Sequence, residues 1–180
     1  MSRRIINITG HRPHKLMGGY NHFAFENKML QYVFDEKLKK ELDKYQEVVC
    51  ITGMAIGVDM LFAMACIELK ETYGNRIKLI GAIPFATQYL SWSAEHKLMW
   101  EMILSNCDGV VNTSDRETIY SHEVSDIMQQ RNEWMVDNSD ETWAVWDGSR
   151  SGTGNCVAYA KKQGKPVEII TTGLKPKGEL

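Results

Sequence analysis

Two glycine-rich segments and a few arginines carry the chemistry open to this sequence. Thr52-Gly53-Met54-Ala55-Ile56-Gly57-Val58-Asp59 and Asp147-Gly148-Ser149-Arg150-Ser151-Gly152-Thr153-Gly154-Asn155 each follow an apolar run and precede a helical pattern. Glycine in such a turn permits positive φ and lets a bulky anion approach the peptide N–H groups. The helix N-terminus that follows adds unpaired donors and a partial positive charge, and together they make an anion site. The first segment lacks the Gly-x-Gly-x-x-Gly spacing of a dinucleotide turn and the lysine of a P-loop. The second is richer, with three glycines, two serines, a threonine and an asparagine between Gly148 and Asn155. Phosphate or ribose is its expected ligand.

Other groups could converge on the same anion. Thr9-Gly10-His11-Arg12 ends the first apolar run, where an arginine can grip a phosphate through two N–H donors. Arg131 falls inside a helical pattern, and Asp59 lies one turn into the helix after Gly57. Trp92, Trp134, Trp143 and Trp146 could stack a base, although tryptophan in a small protein also serves the core. His11, His14 and His22 match no zinc spacing, so neither metal nor cofactor is expected.

These residues need elements to hold them. Short apolar runs at 5–8, 48–52, 77–83, 109–112, 142–146 and 167–170 read as strands, continuous rather than alternating and so covered on both faces. Helical periodicity fills the gaps at 23–45, 58–73, 93–105, 121–137 and 154–162. Strand and helix in alternation predict an α/β fold: an open, doubly wound, mainly parallel sheet with helices on both faces. Residues 1–174 form a single domain in this reading, and 175–180 a flexible tail. In such a sheet ligands bind beyond the carboxyl ends of the strands, where the strand order reverses, and every segment named above lies at a strand end.

The chain has 180 residues, 21 basic and 23 acidic, for a formal charge of −2. That balance argues against nucleic acid as a partner, since no basic excess tracks a phosphate backbone. The four cysteines form no Cys-x-x-Cys pair, which speaks against a disulfide framework. Without a signal-peptide pattern or a membrane-length apolar run, the cytoplasm is the expected location and no membrane is a partner.

In combination, Thr9 to Pro13 with Gly18-Gly19-Tyr20, Thr52 to Asp59, Met128-Gln-Gln-Arg131-Asn132 and Gly148-x-x-x-Gly152-Thr153-Gly154-Asn155 resemble the SLOG superfamily. The match is to its YspA/YpsA-like branch of uncharacterised bacterial and phage proteins, and it covers nearly the whole chain. The resemblance implies a Rossmann-like sheet that binds a nucleotide or nucleotide derivative. The Gly53–Asp59 segment is similar to the turn of the DprA proteins. Arg131 and Gly152-Thr153 are similar to motifs of the LOG phosphoribohydrolases, which makes Arg131 a site residue. The ligand-binding set is then Thr9, Gly10, His11, Arg12, Gly53, Met54, Gly57, Asp59, Arg131, Asp147, Gly148, Ser149, Gly152, Thr153, Gly154 and Asn155.

The sequence departs from the LOG pattern after Gly152-Thr153, where Gly154-Asn155-Cys156-Val157 offers no carboxylate. Asparagine can hydrogen-bond a ribose but cannot act as a general base. The expected function is therefore a protein that senses or sequesters a nucleotide-like ligand, such as one derived from NAD or ADP-ribose. The alternative is an N-glycosidase acting on nucleotides or nucleosides, with Glu133 or Asp59 as its carboxylate. Glu133 stands two residues from Arg131, a spacing that does not share a helix face. A homodimer is expected, with the Met- and Trp-containing segment 128–135 as its apolar face.

Overall fold

The computed structural model describes residues 2–114, 116 and 119–176. Six strands form one sheet: β1 (Arg3–Gly10), β2 (Glu47–Thr52), β3 (Ile77–Ile83), β4 (Gly109–Asn112), β5 (Glu141–Val145) and β6 (Val167–Ile170). Every strand pairing is parallel, in the order β4-β3-β2-β1-β5-β6. The helices are α1 (Phe25–Lys44), α2 (Val58–Tyr73), α3 (Ala94–Ser105), α4 (Val124–Asp137) and α5 (Gly152–Lys162).

Right-handed crossovers dictate where these helices go. From β1 to β4 the chain steps in one direction along the sheet, and α1, α2 and α3 cover one face. It then returns past β1 to β5 and β6, which puts α4 and α5 together on the other. The sheet is the expected doubly wound, Rossmann-like one, parallel throughout. The order reverses between β1 and β5, so the carboxyl ends of these two strands flank the crevice of the fold.

The main core lies between the sheet and α1–α3. Phe34 of α1, Phe62 of α2 and Trp143 of β5 meet edge to face there, with ring centroids 5.4 and 6.1 Å apart. Trp143 is thus a packing residue. Helix α2 is buried from Val58 to Cys66, its first turn included, because it crosses the middle of the sheet between α1 and α3. No described helix is long and apolar enough to cross a membrane.

The segment after β6 folds back onto the loop after β1. The Met17 N–H donates to the Gly173 carbonyl (2.8 Å), Leu16 bridges to Leu174, and the Lys175 N–H donates to the Lys15 carbonyl (3.0 Å). Lys175 is therefore tied to the domain, whereas 177–180 of the expected tail lie outside the described residues.

Candidate functional site

The end of β1 is packed so tightly that its glycines are obligatory. A Cβ on Gly10 would stand 2.5 Å from the side chain of Val58, the first residue of α2. Gly57 has φ +106°, and a Cβ there would approach the His11 carbonyl oxygen to 3.0 Å. The turn after β2 is thereby pressed against the loop after β1. Inside that turn Met54 takes the left-handed conformation (φ 59°) and is fully buried, its carbonyl accepting from Gln88 Nε2 at 3.3 Å. The Ala55 N–H donates to Asp59 Oδ2 at 3.2 Å.

Opposite this turn stands Arg131 of α4, which is only 6% exposed. Its Nη1 donates to the Gly53 carbonyl, and its Nε donates to Asn132 Oδ1 at 3.0 Å. A Cβ on Gly53 would fall on the guanidinium and within 2.8 Å of Asp59 Oδ2. Gly53 is thus glycine so that Arg131 and Asp59 can close over its backbone.

The crevice between β1 and β5 opens into a cavity of about 310 Å³. Thr9 and Gly10 line it from β1, His11 and Arg12 from the loop that follows, Asp59 from α2, and Arg131 from α4. Arg150, Ser151, Gly152 and Thr153 line it from the turn after β5. Helix α5 begins two residues earlier than its sequence pattern indicates. Ser151 is its N-cap, accepting from the Gly154 N–H at 3.1 Å. The N–H groups of Gly152 and Thr153, first and second in the helix, have no partner within it.

Charge is distributed unevenly here. Arg12, Lys15, Arg131 and Arg150 line the cavity against one carboxylate, Asp59. Among the described residues none of the three arginines forms an ion pair. Burial pushes the Asp59 carboxyl above its ordinary value although Arg131 and Arg12 pull it down. Burial likewise lowers Arg131, against the attraction of Asp59. A buried guanidinium without a paired carboxylate is costly, and an anion in the cavity would offset that cost.

Other expected site residues lie behind the wall. Asp147 clamps the loops after β1 and β5 together. Its Oδ1 accepts from His11 Nε2 (2.7 Å) and the Ser149 N–H (2.8 Å), and its Oδ2 accepts from Lys15 Nζ (3.0 Å). A carboxylate only accepts, so Nε2 carries the His11 proton. Burial opposes the charge on Asp147, but Ser149, Lys15 and His11 outweigh it and hold the carboxyl well below its ordinary value. Burial also lowers His11, despite Asp147. Gly53, Met54, Gly57, Gly148, Ser149, Gly154 and Asn155 do not line the cavity either. Nor does Glu133, whose carboxylate accepts from Gln129 Nε2 at 3.0 Å.

Helical spacing explains what sequence reading missed. Met128 and Met135 stand at i−3 and i+4 from Arg131 and line the same cavity, as does Asn132, which holds the Arg131 Nε; Glu133, at i+2, turns elsewhere. Within the segment expected to form a dimer face, Met128 lines the cavity and Met135 is buried. Exposed apolar side chains include Phe25, Met29 and Tyr32 on α1 and Leu98 and Met102 on α3. Lys15 and His14 reach the cavity because Pro13 starts a single 3₁₀ turn that brings them round.

The fold is that of DNA processing protein A. The Helicobacter pylori protein, with its single-stranded DNA binding mode, superposes at a TM-score of 0.61 and 15% identity, over 99% of this chain and 68% of that one. The Streptococcus pneumoniae protein superposes at 0.61 and 18%, over 95% of this chain and 53% of that one. Net charge therefore does not exclude nucleic acid as a partner, contrary to expectation. The chain carries −2 overall, while three arginines outside any ion pair among the described residues line its cavity against one acid. Among sequences, the uncharacterized SPbeta prophage-derived protein YoqJ of Bacillus subtilis (strain 168) is 38% identical over 136 residues, covering 72% of this chain and 77% of YoqJ. A UPF0398 protein of Bacillus thuringiensis (strain Al Hakam) is 25% identical over 165 residues, 92% of this chain and 86% of that protein. The model of the YspA SLOG family matches residues 6–172, and the chain belongs to that family.

Proposed function

We propose that the protein binds a nucleotide unit by holding its phosphate in the β1–β5 cavity, as a sensor or store of that ligand. The observation that carries this reading is Arg131, a buried guanidinium that lines an open cavity with no ion-pair partner among the described residues. The N–H groups at the start of α5 and the side chains of Arg12, Lys15 and Arg150 complete an anion site. A phosphate is common to free nucleotides and single-stranded DNA, and the fold shared with DNA processing protein A supports testing both.

Isothermal titration with nucleoside mono- and diphosphates, NAD, ADP-ribose and a short single-stranded oligonucleotide tests the proposal. At least one binds, and Arg131→Gln weakens that binding on the order of 30-fold, the value of a charged hydrogen bond at a buried site. Glu133→Gln leaves it unchanged. Absence of binding to every probe, or binding indifferent to Arg131→Gln, overturns the reading.

One observation favours a second reading, an N-glycosidase. Asp59 puts a carboxylate on the cavity wall, and a carboxylate is what an oxocarbenium-like centre requires. Release of free base from a nucleotide, abolished in Asp59→Asn and unaffected in Glu133→Gln, is its signature. Intact nucleotide after prolonged incubation counts against it.

A further inference from the structure

The phosphate cavity has a neighbour of different chemistry. A second compartment of about 590 Å³ shares Arg12 and His14 with it as a common wall. Beyond them its lining turns aromatic and apolar, with Tyr20, Trp92 and Ile56, and Ser91 and Ser93 stand at its rim. Its back wall is fixed. His96 Nε2 faces the Tyr20 carbonyl at 3.3 Å, an acceptor, so Nε2 carries the proton. His96 Nδ1 then accepts from the Ser93 hydroxyl at 2.6 Å. The Tyr20 ring meets His96 edge to face at 5.8 Å, and the buried His22 ring packs behind at 5.2 Å.

Cations converge on the first compartment, and flat apolar surface with hydroxyls at its edge forms the second. We infer that the second compartment holds a nucleobase, stacked on Trp92 and Tyr20, while Arg12 marks the junction between base and phosphate. The inference rests on the phosphate reading and deepens it: the ligand is a nucleotide unit recognised at both ends, not a bare phosphate or a sugar phosphate. Stacking on an aromatic ring tolerates any base, since each has a π-face. Arg12 can serve both ends, because a guanidinium donates in its plane and stacks through its face.

The test compares four probes on the whole protein: inorganic phosphate, ribose 5-phosphate, adenosine 5′-monophosphate and a short single-stranded thymidylate oligomer. Adenosine monophosphate or the oligomer is expected to bind about tenfold more tightly than ribose 5-phosphate, the contribution of one stacked base. Which of the two binds separates a free nucleotide from a strand. Trp92→Ala removes the advantage and leaves ribose 5-phosphate affinity as it was, while Trp92→Phe retains most of it. Tyr20→Ala, at a residue 57% exposed, reduces the advantage without risk to the fold. Equal affinity for ribose 5-phosphate and both base-bearing probes overturns the inference, as does an advantage that survives Trp92→Ala and Tyr20→Ala. If inorganic phosphate and ribose 5-phosphate also fail to bind, the phosphate reading falls first and takes this one with it.

Discussion

The turns after β2 and β5 are alike as sequences, each a glycine-rich stretch that leaves a central strand and starts a helix. They do different work. The β2 turn is buried, bends through a left-handed Met54, and turns its Ala55 N–H inward onto Asp59. It lends the cavity wall Ala55, and gives Arg131 a place to lean, the bare backbone of Gly53. The β5 turn stays at the cavity rim, keeps its loop tied by Asp147 to His11 and Lys15, and presents the first N–H groups of α5. One turn supports a charged side chain, and the other supplies donors itself. The same glycine pattern therefore specifies close approach, and the layer covering the turn decides whether a ligand or a protein group makes the approach.

Matched substitutions can break that contrast. Gly53→Ala puts a methyl group on the Arg131 guanidinium and should cost about 3 kcal/mol in urea unfolding together with phosphate affinity. Gly152→Ala, with nothing within 4 Å of the added Cβ, should raise stability by about 0.5 kcal/mol. Equal costs at the two glycines would erase the distinction.

The two carboxylates should show opposite pH dependence. The lowered carboxyl of Asp147 contributes stability above the ordinary aspartate value of 3.8, and this is lost as pH falls through its folded value. Asp147→Asn should therefore cost about 1.5 kcal/mol at neutral pH, a gap that closes on acidification. Asp59 is raised, so its contribution is complete below 3.8 and is lost as pH rises through its folded value. The stability of Asp59→Asn relative to the unsubstituted protein should then climb with pH. Unfolding of both variants from acid to neutral pH checks the two slopes. Ser151→Ala loses the α5 cap for about 1 kcal/mol, measurable as a lower Cm with unchanged m.

Strand and helix order was legible because runs such as Val48 to Ile51 are apolar without alternation, as a strand covered on both faces requires. The location of the crevice followed from the same reading. The roles of individual residues did not. Gly53 reads as a ligand contact, yet its partner is Arg131, 78 positions away, and only the α4 packing reveals the pair. Asp147 likewise finds His11 across 136 positions, a distance over which local patterning carries no information. Met128 and Met135 were within reach, since helical spacing from Arg131 selects them. The Trp92 compartment was not, because it joins the loop after β1 to the loop after β3.

The clasp between residues 15–17 and 173–175 has a bearing on the order of assembly. Arg12 and Lys15, which line the proposed phosphate site, sit on a loop whose outer edge is hydrogen-bonded to the segment following β6. Contacts so far apart in sequence close a long loop and are slow to form. On the ribosome β1 through β5 can collapse into a sheet while the arginine loop still lacks its anchor. The proposed anion site should thus be completed only once residues 173–175 have docked on residues 15–17.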